Sequence, residues 1–291
     1  MQALIALAAS TTIMSTVQSK KSKNWMPMNG DIKHWRKHAL HHLKQVCEKR
    51  RRWQSERTSA SATDIGCDQM DIYQFGVFTG RSLKPLAAFS AKNNLSRRIW
   101  GFDSFSGLPQ DASLSNKPFM SRRGQSYAYL IREGGFRNGS FSAMQTIGAS
   151  TVADTLTAVS RYVASDRVTL IPGFFNETLT RSLASSRAMR PAIYVDIDVD
   201  IYSATFEALD WLFHSKLITN GTLIGYDDFN YGMPKSHRRS WKEIQRSGQL
   251  EGEPRAHSEI EAKWGVRFVH EARAAPISGG EAGWLFRTLI S

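Results

Sequence analysis

Residues 193–205 read IYVDIDVDIYSAT, with Asp196, Asp198 and Asp200 on alternate positions of an otherwise apolar run. A strand buried on both faces of a parallel sheet is a continuous stretch of Val, Ile and Leu, and an uncompensated carboxylate inside it costs on the order of several kcal/mol. The acids therefore need a partner: a bound cation, backbone donors at the strand's C-terminal end, or a ligand just past the sheet. The stretch also sets the class of fold, because the helical pattern SATFEALDWLFHSKL (203–217) follows it directly, as a strand feeding a helix.

Outward from this unit the alternation repeats. MDIYQFGVF (70–78) leads into a helix from about Ser82, and RRIWGFDSF (97–105), RVTLIPGFF (167–175) and GTLIGYDDF (221–229) are further short apolar runs. VRFVHEA (266–272) and GWLFRTLI (283–290) close the chain, separated by RAAPISGGEAG, which suits a hairpin and an antiparallel strand at the end of the sheet. These runs predict an α/β fold: a doubly wound, mostly parallel seven-stranded sheet with helices on both faces.

The chain has 291 residues, 41% of them hydrophobic and 11% aromatic, enough for one sizeable core. Its net charge of +12 suggests a nucleic-acid partner until it is mapped. Residues 1–60 hold 12 Lys and Arg against 3 Asp and Glu, leaving 26 basic and 23 acidic residues for the remainder, which is nearly neutral. The basicity belongs to an N-terminal extension, assigned to residues 1–62. Within it, Asp31 is a candidate N-cap, and Ile32, Trp35, Ala39, Leu43, Val46 and Trp53 form an apolar face interrupted by Arg50. This amphipathic helix offers a surface for a second copy of the chain, in preference to nucleic acid. SERTSASATD (55–64) reads as a linker, so the main domain is expected over 63–291.

Residues 2–17 are apolar but shorter than the roughly 20 residues that span a bilayer, and no basic segment precedes them. Neither a signal peptide nor a membrane span is expected. Two cysteines, Cys47 and Cys67, form no zinc cluster by themselves and no disulfide framework, which favours a reducing, cytoplasmic setting.

Three motifs carry chemistry. YQFGVFTGRS (73–82) runs from a strand through a turn with Gly76 and Gly80 into a helix whose first amides, near Arg81 and Ser82, could hold an anionic group, the glycines allowing close approach. In IWGFDSFSGLP (99–109), Asp103 falls where doubly wound folds grip ribose hydroxyls. VDIDVD and GYDDFNYG end two successive strands, so Asp198, Asp227 and Asp228 should project from one edge. Hard carboxylate oxygens without cysteine favour Mg²⁺, Mn²⁺ or Ca²⁺ over zinc.

FGVFTGRS, GFDSFSGLP, IPGFFNETL, VDIDVDIYSAT and GTLIGYDDF resemble, in order and wording, the TylF/MycF (macrocin O-methyltransferase-like) family over roughly residues 70–232. The resemblance implies a class I methyltransferase sheet that binds S-adenosylmethionine through Gln74, Phe75, Gly76, Gly80, Ser82, Asp103, Ser104 and Phe105. It also implies a divalent metal, usually magnesium, on Asp198, Asp227 and Asp228, with Asp200 the alternate ligand. Gln74 stands where the family usually has an acid, which removes a negative charge near the cofactor's ammonium. A cation on Asp198, Asp227 and Asp228 would activate a hydroxyl, so methyl transfer to a hydroxyl of a sugar or polyol-bearing small molecule is expected, with Asp198, or secondarily His237, as the candidate general base. The competing readings are an RNA methyltransferase using the basic helix, a non-catalytic S-adenosylmethionine binder, and a phosphohydrolase, which leaves the Asp103 motif unexplained.

Overall fold

Three of the apolar runs become strands buried at every residue, and the carboxylates of interest sit at or near the C-terminal ends of the strands. The structure, a computed structural model, describes residues 34–56, 65–110, 138–229, 241–246, 250–273 and 283–290. The strands are β1 (Asp71–Phe75), β2 (Ile99–Asp103), β3 (Val168–Pro172), β4 (Ala192–Ile197), β5 (Leu223–Tyr226), β6 (Arg267–Arg273) and β7 (Trp284–Leu289). They form one seven-stranded sheet in the order β3-β2-β1-β4-β5-β7-β6. β1 to β5 are mutually parallel, and β7 is inserted antiparallel between β5 and β6, as the terminal hairpin predicted. The main helices are α1 (His34–Ser55), α2 (Leu83–Lys92), α3 (Val152–Val163), α4 (Tyr202–His214) and α5 (Gly252–Trp264).

Alternation along β1 divides the core. Tyr73 and Phe75 enter one cluster with Phe102, Trp211 and Ile197, where Phe75 stacks on Phe102 at 4.7 Å between ring centroids. Ile72 enters the other, with Leu40, Leu43, Leu83, Val159 and Tyr194. The helix expected in the 1–62 extension therefore packs on the sheet itself. Its buried stripe is Arg36, Ala39, Leu40, Leu43 and Cys47, rotated from the predicted one, so that Trp53 is left exposed. Of the apolar face offered to a second copy, Ala39 and Leu43 are covered by the chain's own core. Asp31 lies outside the described residues.

Cys47 of α1 is disulfide-bonded to Cys67, with their Cα atoms 5.8 Å apart. This corrects the expectation that the two cysteines make no disulfide framework: 20 residues separate them in sequence, and the packing of α1 on the sheet brings them together. Among the described residues no helix is long and apolar enough to cross a membrane.

Under β5 lies an aromatic nest of Tyr226, Phe229, Trp241, Phe268, Trp284 and Phe286 around His257. His257 Nδ1 is 2.8 Å from the Tyr226 hydroxyl, while Nε2 has no hydrogen-bond partner. Burial pushes this imidazole well below its ordinary value of 6.5. The unfolded chain takes up a proton near that value and the folded chain does not, so His257 contributes stability at neutral pH that is lost as pH falls below about 6.5, by up to about 1.4 kcal/mol per unit. His257→Phe should flatten this slope. Denaturant midpoints of both proteins between about pH 5 and 8 test it, and parallel curves would show that the imidazole is not held neutral.

Candidate active site

The loops that leave β1, β2 and β4 all reach the sheet's C-terminal edge, and each contains a left-handed residue that is not glycine: Phe78 (φ 51°), Phe105 (φ 57°) and Asp200 (φ 62°). Such residues are uncommon outside sites where surrounding contacts fix them. At Phe78 and Phe105 the fixing group is Asp103. Its Oδ2 accepts the amides of Val77 and Phe78, both at 2.7 Å, and its Oδ1 accepts the amide of Phe105 at 2.6 Å. Burial raises its pKa above the ordinary 3.8, and the three amides pull the other way. Three of about four acceptor sites on the carboxylate are thus spent on the protein's own loops.

Asp103→Ala is therefore expected to free three amides and relax both turns. S-adenosylmethionine affinity should fall at least about tenfold, since charge-assisted bonds of this kind contribute roughly 1.5–3 kcal/mol each. Hydrogen exchange at Val77 and Phe78 should accelerate at the same time. Weakened binding with unchanged exchange would mean that Asp103 acts on the ligand and not through the loops.

The other residues predicted to hold the cofactor divide by what they touch. Gln74 is fully buried; its Nε2 donates to the Gly76 carbonyl at 3.0 Å and to Ser82 Oγ at 2.5 Å, and its Oε1 has no hydrogen-bond partner. Phe75 and Phe105 turn their rings into the two cores. Ser104 closes its own turn, donating to the Gly107 carbonyl at 2.7 Å. The two glycines do not open space for a ligand as the sequence suggested. A Cβ on Gly76 would lie 1.8 Å from the Asp198 carbonyl oxygen, and one on Gly80 would lie 2.9 Å from Val163 Cγ2 of α3. Both absences are filled by the chain itself.

The acids after β4 and β5 do converge. One ligand atom from each of Asp198, Asp227 and Asp228 lies within 4.8 Å of the others. Asp196, one row deeper, is 1% exposed and is compensated by a cation of the chain: Arg36 Nε donates to its Oδ2 at 3.0 Å. The same guanidinium donates to Asp198 Oδ2 at 2.8 Å and lies 3.8 Å from Asp227 Oδ1. Glu253, at the start of α5, accepts the Asp228 amide on Oε2 at 3.1 Å, while its buried Oε1 has no hydrogen-bond partner. Burial, and next the neighbouring carboxylates, hold Asp198 and Glu253 well above the ordinary carboxylate range, with Arg36 pulling Asp198 back. The centre gathers the carboxyl groups of Asp196, Asp198, Asp227, Asp228 and Glu253, with Arg36 among the described residues facing three of them. Its oxygen donors, with an orphaned carboxylate oxygen alongside, fit a hard divalent cation. Gln74 Oε1, an orphaned acceptor beside the first glycine turn, fits the ammonium of S-adenosylmethionine.

His237 lies outside the described residues. Arg36 and Glu253 were not predicted. Arg36 carried a signal, since it stands on the spacing 36, 40, 43, 47 of an apolar stripe. Glu253 carried none, because nothing in GEPRAH sets it apart from an ordinary acid in the first turn of a helix.

A seven-stranded sheet with β7 reversed between β5 and β6, and with the ends of β1, β2, β4 and β5 meeting at one edge, defines a class I methyltransferase fold. Within that class, the chain belongs to the macrocin O-methyltransferase (TylF) family, whose model matches residues 69–257, and it is an S-adenosylmethionine-dependent O-methyltransferase. Among solved structures it is similar to the calicheamicin methyltransferase CalS11, with 18% identity over 87% of this chain and 80% of that one and a TM-score of 0.48. It is similar also to the O-methyltransferase NovP, with 15% identity, the same two coverages and a TM-score of 0.48. An O-methyltransferase from Bacillus cereus in complex with SAH is 14% identical over 87% of this chain and 91% of that one, with a TM-score of 0.39. No curated protein matches the chain.

Proposed function

We propose that the chain transfers the methyl group to one hydroxyl of a vicinal-diol-like pair on a sugar or polyol-bearing small molecule, and that it does so with a divalent cation held by Asp198, Asp227 and Asp228. The observation that carries this reading is the convergence of these three carboxylates within 4.8 Å at the edge where the Asp103 loops end. When bound, the cofactor would supply an electrophilic methyl group and leave as S-adenosylhomocysteine, and the cation would lower the pKa of a hydroxyl oxygen and neutralise its developing charge. The residues supply position. Asp103 sets the shape of the β1 and β2 loops, Gln74 Oε1 would accept from the cofactor's ammonium, and Gly76 lets the Asp198 backbone close against β1. Asp198, its side chain 26% exposed and so within reach of solvent, takes the hydroxyl proton on a carboxylate oxygen. His237 remains an outside candidate for that role. Asp198, Asp227 and Asp228 would hold the cation, and its charge beside the acceptor would favour a diol over an isolated alcohol.

Calorimetry with S-adenosylmethionine, with and without Mg²⁺, followed by methyl transfer to a panel of diols with and without EDTA, tests the reading. Cofactor binding and EDTA-sensitive, Mg²⁺-restored turnover are expected. Full turnover in the chelator would end the metal assignment, and no cofactor binding would end the larger one.

A further inference from the structure

Arg36 brings a positive charge into the acidic centre from the first turn of α1. Its Nε is 3.0 Å from Asp196 Oδ2, its second terminal nitrogen is 2.8 Å from Asp198 Oδ2, and its first is 3.8 Å from Asp227 Oδ1. Two of the three carboxylates that could hold an ion already face a cation belonging to the chain. The guanidinium is 5% exposed, so solvent does little to screen these pairs. Glu253 adds a second observation: a buried carboxylate oxygen without a hydrogen-bond partner, on a side chain bound to the Asp228 amide.

We propose that Arg36 is a tethered rival of the divalent cation, competing with it for Asp198 and Asp227. The inference rests on the metal reading above and adds a residue that sets how tightly the ion is held. Two positive groups crowded onto the same oxygens repel each other, so loading the ion draws the guanidinium away from Asp198 and Asp227. Asp196, which is deeper and pairs with Nε, remains as its anchor. The movement is confined to one end of the helix. Cys47, bonded to Cys67, stands 11 residues further along α1, about 16 Å at the usual helical rise, and holds the rest in place. The first turn has fewer internal hydrogen bonds to break, because its leading amides have no partner within the helix.

The opposite role is a scaffold, in which Arg36 organises the carboxylates for the ion. The two roles predict opposite signs. With Mn²⁺ alone as the probe, titrated into the full chain and followed by the electron paramagnetic resonance of the free ion, Arg36→Met should bind at least about tenfold more tightly than the wild type. Equal or weaker binding by a folded Arg36→Met overturns the proposal. A second measurement needs no variant: saturating Mn²⁺ should speed amide hydrogen exchange in the first two turns of α1 and leave the turns around Cys47 unchanged. Slower exchange, or no change, in those first turns overturns it as well. Mn²⁺ that binds both proteins equally removes this inference and leaves the metal reading standing. Failure of millimolar Mn²⁺ to bind either protein removes both.

Discussion

Asp227→Asn and Asp228→Asn should each lower turnover by about 10²–10³-fold while changing S-adenosylmethionine affinity little. Each substitution keeps the side chain's size and one acceptor oxygen but removes a negative charge from a centre whose ligand atoms lie within 4.8 Å of one another. Charge at this position acts where the acceptor oxygen becomes anionic, so the loss should appear in kcat or in the metal dependence of kcat, as for removal of a preorganised electrostatic contact elsewhere. The cofactor's contacts are expected one loop away, around Gln74 and the Asp103-tied turns, and should be spared. The backbone is expected to survive, because the Asp227 amide bonds the Ile197 carbonyl at 3.0 Å irrespective of the side chain. Turnover and calorimetry on the same preparations decide the matter. A loss of cofactor binding in folded variants would show that the two regions act as one site.

Among the described glycines, Gly76→Ala should be the most damaging substitution. The added carbon would stand 1.8 Å from the Asp198 carbonyl oxygen and 2.7 Å from its carbonyl carbon, both backbone atoms that no side-chain rotation can clear. Nor can β4 retreat, since the Asp198 amide is bonded to the Phe75 carbonyl at 2.9 Å in the last rung between β1 and β4. Residue 76 also has φ +84°, where an L side chain is strained. Gly221→Ala provides the control: its φ is +89° and nothing lies within 4 Å of its added carbon, so it bears the conformational cost alone. We expect about 1 kcal/mol for Gly221→Ala, by the usual glycine-to-alanine penalty at positive φ, and more than about 4 kcal/mol, or failure to fold, for Gly76→Ala. Urea midpoints of the two variants make the comparison. Equal losses would mean that the approach of Asp198 to Gly76 is not a fixed part of the fold.

These two predictions also show how much could be read from the sequence. The seven runs of apolar residues, their order, the hairpin that reverses the last strand, and the gathering of Asp103, Asp198, Asp227 and Asp228 at one edge follow from local patterns. Strand burial, the alternation of strand and helix, and the rule that parallel strands present their ends together need no coordinates. The family membership was legible for the same reason, because its motifs are the strand ends themselves.

What compensates the buried acid was not legible. The sequence posed the question at Asp196 and supplied three answers, a cation, backbone donors or a ligand; the partner is Arg36, 160 residues away in the chain. Helical periodicity located the helix and placed Ala39 and Leu43 on its buried face but missed Arg36, Leu40 and Cys47, and only the pairing of Arg36 with Asp196 on β4 shows that it points inward. The pairing of Cys47 with Cys67, the meeting of Glu253 with the Asp228 amide, and the use of Asp103 to hold its own loops have the same origin. Short-range propensities fix which segments become strands and helices. Which charges, thiols and amides meet depends on how those segments are laid against one another, and that is settled by the burial of both faces of the sheet, a property of the whole chain.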